Sequence, residues 1–133
     1  MSSSSLLVAC VLCVRSLASE AAVVTSCPET YRDGQKVGSL VDASVFDGAP
    51  ANLAELMPDL ETSEWDISMN QAYAEQHGES MYLVCRYKGI KKTVQLKIPY
   101  AATRCVVKGA KGGGTYAGCS PAKSSAGEST DRK

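Results

Sequence analysis

Residues 81–98 read MYLVCRYKGIKKTVQLKI and predict a β-hairpin. The first strand has an alternating apolar face that consists of Met81, Leu83, Cys85 and Tyr87. Lys88–Gly89 then provides a tight turn. The return strand continues the apolar face with Ile90, Val94, Leu96 and Ile98. Pro99 ends the pattern, so an antiparallel pair of strands is expected at the centre of the fold.

Further strands are predicted on both sides of this hairpin. Residues 39–46 (SLVDASVF) are rich in β-branched and apolar side chains and end at a turn dipeptide, Asp47–Gly48. Residues 65–69 (WDISM) alternate apolar and polar side chains, which predicts a strand with the single tryptophan in the core. Two more short strands, 104–108 (RCVVK) and 115–119 (TYAGC), are predicted on either side of the glycine-rich segment 109–114.

One short helix completes the predicted fold. Residues 51–57 (ANLAELM) lie between Pro50 and Pro58 and carry apolar residues at helical spacing, which predicts about two helical turns. Residues 71–79 are polar and contain Gly78, so they are predicted to form a loop. Five or six strands against one short helix predict a mainly β protein, an antiparallel sheet or small β-sandwich with the helix at an edge or end.

Four well-separated cysteines predict two disulfides in an oxidising compartment; they are Cys27, Cys85, Cys105 and Cys119. Four cysteines allow three pairings, and the sequence alone does not choose between them. Geometry favours one pairing, because Cys105 and Cys119 lie equally far from Gly112 and would face each other in a hairpin folded there. Cys27 would then join Cys85. A zinc site formed by the four cysteines is disfavoured because it requires closely spaced pairs.

The N-terminal residues 1–22 are predicted to be a signal peptide. Residues 6–14 (LLVACVLCV) form an apolar run that is too short to span a bilayer, and small residues suitable for cleavage follow it. Cys10 and Cys13 belong to this leader, and lipidation at Cys10 is the alternative to plain secretion. One disulfide-stapled domain is expected over residues 23–119, with a disordered polar tail over residues 120–133. A periplasmic or secreted protein with no stable membrane span is therefore expected.

The formal net charge of zero conceals a division along the chain. Residues 27–79 contain eleven acidic and two basic residues, a net charge of minus nine. Residues 80–133 contain eleven basic and two acidic residues, a net charge of plus nine. The favoured interpretation is that the halves pair across one fold and cancel, and the alternative is two separate charged faces. A nucleic-acid partner is not expected, because aromatic residues do not interleave with the lysines.

No catalytic, metal or cofactor motif occurs in the sequence. His77 is the single histidine, and no G-x-S-x-G, H-E-x-x-H or phosphate-loop pattern is present. A non-enzymatic role without a cofactor is therefore predicted, and binding of a protein partner becomes the expected function. Tyr and Arg are enriched where interfaces carry binding energy. The predicted partner-binding residues are Tyr82, Arg86, Lys88, Lys91, Lys97, Lys111 and Tyr116.

Residues distributed over most of the mature chain carry a family resemblance. They are Cys27-Pro28, Val45-Phe46-Asp47-Gly48, Leu56, Pro58-Asp59, Trp65, Tyr82, Cys85, Tyr87, and Pro99 before Cys105. Their order and spacing resemble an uncharacterised family of small exported Gram-negative proteins, some of which are associated with type VI secretion loci. The resemblance implies an exported β-rich domain. An immunity or inhibitor protein against a secreted hydrolase or toxin is the sharpest function it allows, and an envelope-assembly accessory is the alternative.

A weaker similarity connects the chain to membrane-associated inhibitors of c-type lysozyme. Those inhibitors carry a Y-x-C strand and a later S-G-x-x-Y loop, whose counterparts here are residues 82–85 and 113–118. The first counterpart has one extra residue, and the second has glycine where serine is expected. The resemblance implies lysozyme inhibition as a further alternative.

Overall fold

The computed structural model describes residues 24–59 and 62–122. The predicted leader, with Cys10 and Cys13, and the tail beyond Ala122 lie outside the described residues. Eight strands are described: β1 Thr25–Ser26, β2 Thr30–Asp33, β3 Lys36–Phe46, β4 Glu64–Asp66, β5 Met81–Tyr87, β6 Val94–Ile98, β7 Arg104–Gly109 and β8 Thr115–Ser120. One α-helix, α1, extends over Ser68–Gln76.

The strands form two four-stranded sheets whose described pairings are all antiparallel. The first sheet has the order β1-β8-β7-β4, and the second has the order β2-β3-β5-β6. Buried side chains of both sheets, among them Leu83 and Trp65, belong to one hydrophobic core. The mainly β prediction with two disulfides and one short helix is confirmed.

The two strands predicted over residues 81–98 are present as β5 and β6, but the predicted start of the return strand is wrong. Strand β6 begins at Val94, and Ile90 lies in the connecting segment 88–93, so the register is shifted by two residues from that of a two-residue turn. Met81 pairs with Ile98 and Cys85 pairs with Val94. The amide of Ile90 donates to the carbonyl of Tyr87 at 3.2 Å, which closes the Lys88–Gly89 turn where it was predicted. The carbonyl of Lys88 lies so close to Gly38 that a Cβ at that position would collide with it. Strand β3 can therefore pass the turn only because residue 38 is glycine.

The predicted position of the helix is wrong. Residues 51–57 hold only a 3₁₀ turn, Pro50–Asn52, which ends at Leu53 in the left-handed region at φ 60°. The chain then runs beside β3, because the amide of Leu56 donates to the carbonyl of Val45 at 2.8 Å. The side chains of Leu53 and Met57 are not buried in the core, and they are 81% and 80% exposed.

The α-helix occupies residues that were predicted as the end of a strand and a polar loop. Strand β4 ends at Asp66, whose carboxylate accepts hydrogen bonds from the amide of Ser68 at 3.0 Å and from its hydroxyl at 2.7 Å. Ile67, Gln71 and Ala74 follow at helical spacing and are buried. Because Gln71 is polar, the helical spacing of the buried residues is not visible as an apolar pattern in the sequence. The Nε2 of Gln71 donates to the carbonyls of Pro99 and Ala102 at 2.8 Å each.

Two disulfides connect the four cysteines as geometry favoured. Cys105 and Cys119 are cross-strand partners on β7 and β8, with their Cα atoms 4.0 Å apart. Cys27 follows β1 in the first sheet and binds Cys85 on β5 in the second, with Cα atoms 5.8 Å apart. One disulfide therefore reinforces a hairpin, and the other joins the two sheets.

Within residues 24–59 and 62–122, no helix is long and apolar enough to cross a membrane.

Candidate partner-binding surfaces

The seven predicted partner-binding residues lie in three separate places. Tyr82, Arg86 and Lys97 lie on the outer face of β5 and β6, because they alternate with the core residues of those strands. Lys88, Lys91 and Lys111 lie on two loops at one end of the sandwich. Tyr116 lies on β8, on the outer face of the other sheet. One flat surface therefore cannot include all seven.

The outer face of β5 has an intramolecular role. Arg86 donates from Nη1 to the hydroxyl of Ser44 at 2.6 Å, and its Nη2 lies 3.8 Å from a carboxylate oxygen of Glu55. Phe46 and Val84 are buried on this face but do not belong to the main core. Arg86 thus holds the chain after β3 against the sheet, and Tyr82 and Lys97 are cross-strand neighbours beside it.

Lys88 and Lys111 lie on the same end of the molecule, on either side of β3. The amide of Lys88 donates to the carbonyl of Ser39 at 2.9 Å. Ser39 and Lys111 line one cleft of about 260 Å³. We call this region the hairpin end; it comprises residues 34–37, 88–93 and 110–114. Its exposed lysines are Lys36, Lys88, Lys91, Lys92 and Lys111, of which Lys92 lies 3.5 Å from Asp33.

Tyr116 packs against its own sheet. Its ring lies 5.5 Å from the Lys108 ammonium, a cation–π distance, and its hydroxyl lies directly over Gly118. A side chain at 118 would displace the tyrosine. The segment that resembles a lysozyme-inhibitor loop, 113–118, lies mainly within β8, and its Ala117 is fully buried.

The two charged halves of the chain are partly paired and partly separated. In the described residues, three ion pairs each join an acid of the first half to a base of the second: Glu55–Arg86, Asp33–Lys92 and Glu64–Arg104. The remaining charges separate, because the register places most lysines at the hairpin end and many carboxylates at the opposite end. Some charges of the two halves therefore pair across the fold, and the others form two separate charged ends.

The opposite end carries a surface that the sequence did not predict. We call it the helix end; it comprises residues 47–59 and 62–66, helix α1, residues 77–79, and Tyr100 beside them. Tyr73 and His77 lie one turn apart on α1, and their rings stack with centroids 3.9 Å apart. His77 Nδ1 lies 2.8 Å from the carbonyl oxygen of Tyr73, and since that oxygen only accepts, the bond requires a proton on Nδ1. Met69 precedes Tyr73 by one turn and is 84% exposed.

A cleft of about 350 Å³ reaches helix α1 at Asn70. Its apolar lining residues are Leu56, Met57 and Trp65. Its charged lining residues are Asp59, Glu64, Asp66 and Arg104. The amide of Asn70 also lines it and donates to the Asp47 carboxylate at 3.1 Å, which ties the loop to α1. Within the described residues, no group of three or more His, Cys, Asp or Glu is arranged to hold a metal ion.

Asp66 is expected to titrate below its ordinary pKa of 3.8. The hydrogen bonds from the Ser68 hydroxyl and amide are the main cause, and Arg104 adds a smaller electrostatic contribution that also lowers the pKa. A depressed pKa means that the stabilising contribution of these hydrogen bonds is present above pH 3.8 and is lost as the pH falls through the folded-state pKa. A carboxyl-detected NMR titration measures the pKa directly. A midpoint at or above that of an unfolded reference peptide would contradict the stabilisation of the carboxylate by Ser68.

Comparison with known proteins identifies the family. The model for the type VI secretion system Tli immunity protein matches residues 24–122. Neither the comparison with curated proteins nor that with solved structures gives a significant match. The matched range includes all the strands, the helix and both disulfides of the described residues. The resemblance to proteins of type VI secretion loci is thus confirmed, and the chain belongs to the type VI secretion system Tli immunity protein family.

Proposed function

We propose that this protein is a periplasmic immunity protein that binds one type VI effector, a hydrolase, and blocks it without being an enzyme itself. The observation that carries the proposal is the family match, which covers the whole described domain. An immunity protein protects by occupying its target, so its chemistry lies in its surface. The rigid, disulfide-stapled sandwich suits that task, because a preorganised surface loses little entropy on binding.

The periplasm is supported by two features of the chain. The N-terminal sequence has the composition of a signal peptide. Both disulfides are formed between buried cysteines, and structural disulfides persist in oxidising compartments such as the periplasm.

A non-enzymatic role is supported by the surroundings of His77. The imidazole stacks on Tyr73, and its Nδ1 is engaged by a backbone carbonyl. A catalytic histidine of the serine-hydrolase kind instead needs a nucleophile on one nitrogen and an orienting acid on the other. The role predicts no hydrolytic activity in the wild-type protein. Activity that is present in wild type and lost in His77→Ala would show catalysis by histidine, and activity that survives in His77→Ala would show another catalytic site; either result contradicts the non-enzymatic role.

The seven predicted residues remain proposed contacts, and their separation makes them testable in groups. Lys88 and Lys91 extend from one exposed turn and would contact an acidic region of the effector. Tyr116 lies on the other sheet, and Tyr82 and Lys97 form a third group.

The proposed function predicts tight one-to-one binding to the effector encoded beside the immunity gene. Isothermal titration with the purified, catalytically inactivated effector measures this, and expression of the active effector in the periplasm with and without this protein measures protection. Charge reversal by Lys88→Glu with Lys91→Glu, or Tyr116→Ala, is expected to weaken binding by about tenfold, which is about 1.4 kcal/mol. Unchanged affinity in both variants would exclude those contacts.

The same purified protein separates the alternative functions. Inhibition of c-type lysozyme without binding to the effector would favour the inhibitor alternative. If the protein neither inhibits lysozyme nor binds the effector, and a deletion strain shows defective envelope assembly, the accessory role would be favoured. Either result would overturn the immunity proposal.

A further inference from the structure

We propose that the helix end is an effector-docking surface, and that it receives a basic region of the effector in which a lysine or arginine stands among apolar side chains. The inference rests on the proposed function for the identity of the partner. The inference adds where the effector docks and which effector side chains the surface selects. This surface is separate from the lysines at the hairpin end.

The first argument is where apolar side chains are exposed. Seven large hydrophobic side chains are exposed in the described parts of the chain: Val37, Val41, Leu53, Met57, Met69, Tyr73 and Tyr100. Five of the seven belong to the helix end. Isolated exposed hydrophobic residues are ordinary on protein surfaces, but their concentration in one region is typical of binding sites.

The second argument is the nature and order of these side chains. Tyr73 is 57% exposed and already held by its stack on His77, so burial of its ring against a partner costs little additional entropy. Tyrosine is among the residues enriched in binding hot spots. Met57 and Met69 are 80% and 84% exposed, and methionine adapts its shape to an opposing surface. The exposed apolar side chains of the helix end thus combine one rigid side chain, Tyr73, with two adaptable methionines, Met57 and Met69.

The third argument is charge complementarity. The helix end carries seven carboxylates: Asp47, Glu55, Asp59, Glu64, Asp66, Glu75 and Glu79. Three cations border it: Arg104 is paired with Glu64, Arg86 with Glu55, and Lys97 lines a cleft with Asp47 and Glu79. Asp66 is ionised at neutral pH, and its hydrogen bonds lower its pKa further below the ordinary value of 3.8. A basic side chain entering the cleft would meet both carboxylates and Met57 in its lining. Arginine and lysine suit this arrangement, because their stems are apolar and their heads are cationic.

The fourth argument is that the surface is held in place. Trp65 donates from Nε1 to the carbonyl of Leu56 at 3.1 Å, which fixes the loop that carries Met57. The hydrogen bond from Asn70 to Asp47 fixes the same loop to α1, and the Tyr100 hydroxyl donates to the carbonyl of Glu79 just beyond the helix. The exposed apolar side chains therefore extend from an anchored backbone, as a high-affinity contact surface requires.

The test compares variants of the full immunity protein in binding the inactivated effector by isothermal titration. Tyr73→Ala is expected to weaken binding by about 30-fold, the loss typical of a hot-spot residue. Met69→Ser is expected to weaken it by about tenfold, and Glu75→Lys by about tenfold with a shallower dependence on salt. These side chains are exposed, so thermal unfolding should stay close to wild type and will show that each variant is folded.

Val41→Ser is the matched control, because Val41 is 47% exposed on β3, outside both the helix end and the hairpin end, and its loss should leave affinity within about twofold. If wild type binds the effector and the three helix-end variants bind equally well, this inference is overturned while the proposed function stands. If wild type does not bind the effector at all, both are overturned. If sedimentation shows a dimer of wild type that Tyr73→Ala dissociates, the surface is a self-interface and the effector-docking inference is also overturned.

Discussion

Replacing both Cys27 and Cys85 with alanine is expected to lower the free energy of unfolding by about 4 kcal/mol. These residues are 58 positions apart, so their disulfide closes a long loop and removes much of the conformational freedom of the unfolded chain. The bond also joins the two sheets across a core in which both sulfurs are buried. Chemical denaturation monitored by tryptophan fluorescence measures the loss.

The second disulfide provides the comparison. Replacing Cys105 and Cys119 with alanine should cost less, about 3 kcal/mol, because their loop closes over a separation of only 14 residues and their strands remain hydrogen-bonded. Reduction of both disulfides should unfold the domain, since the combined loss is comparable with the whole stability of a small domain. A reduced protein that kept its denaturation midpoint would show that the disulfides do not determine stability.

Trp65→Ala is expected to lower the free energy of unfolding by about 3 to 5 kcal/mol. The indole is only 7% exposed and packs in the core shared by both sheets, so its removal leaves a large cavity. The substitution also removes the hydrogen bond to Leu56 and with it the anchor of the loop that carries Met57. We therefore expect weaker effector binding in addition to lower stability.

Trp65→Phe separates these two effects. Phenylalanine refills most of the core but leaves the carbonyl of Leu56 without its indole donor, so stability should fall by about 1 to 3 kcal/mol. Hydrogen exchange at the amides of residues 54–57 should rise more than exchange in β5. Equal stability of the phenylalanine and alanine variants would show that packing contributes little at this position.

Much of the β structure follows from local patterns. The two strands over residues 81–98 and the bend at Lys88–Gly89 were predicted, because alternation and turn residues agree over a continuous segment. The register was not predicted, since the return strand begins only at Val94. The pairing of Cys105 with Cys119 also follows from a local pattern, since symmetry about a glycine-rich turn specifies the register of one hairpin. The pairing of Cys27 with Cys85 could then be reached by elimination.

The helix could not be placed in the same way. Its buried face includes Gln71, which is stable in the interior only because the carbonyls of Pro99 and Ala102 accept from its amide. Those carbonyls are about 30 residues distant in sequence, and no local pattern indicates them. Conversely, the apolar residues Leu53 and Met57 predicted a helix over residues 51–57. In the structure the backbone there pairs with β3, and both side chains are exposed.

The sequence by itself therefore determined six of the eight described strands, the favoured pairing of the four cysteines and the class of protein, because these depend on neighbouring residues or on the order and spacing of residues along one chain. Strands β1 and β2 were not predicted. Tertiary structure alone decided which charges meet and which separate, because antiparallel register brings distant segments to the same end. It also decided that Met57, Met69 and Tyr73 remain exposed at the end of the molecule that carries the acidic cleft, which Met57 itself lines. Apolar residues in sequence predict burial, and only the packing of the whole chain shows which of them remain available to a partner.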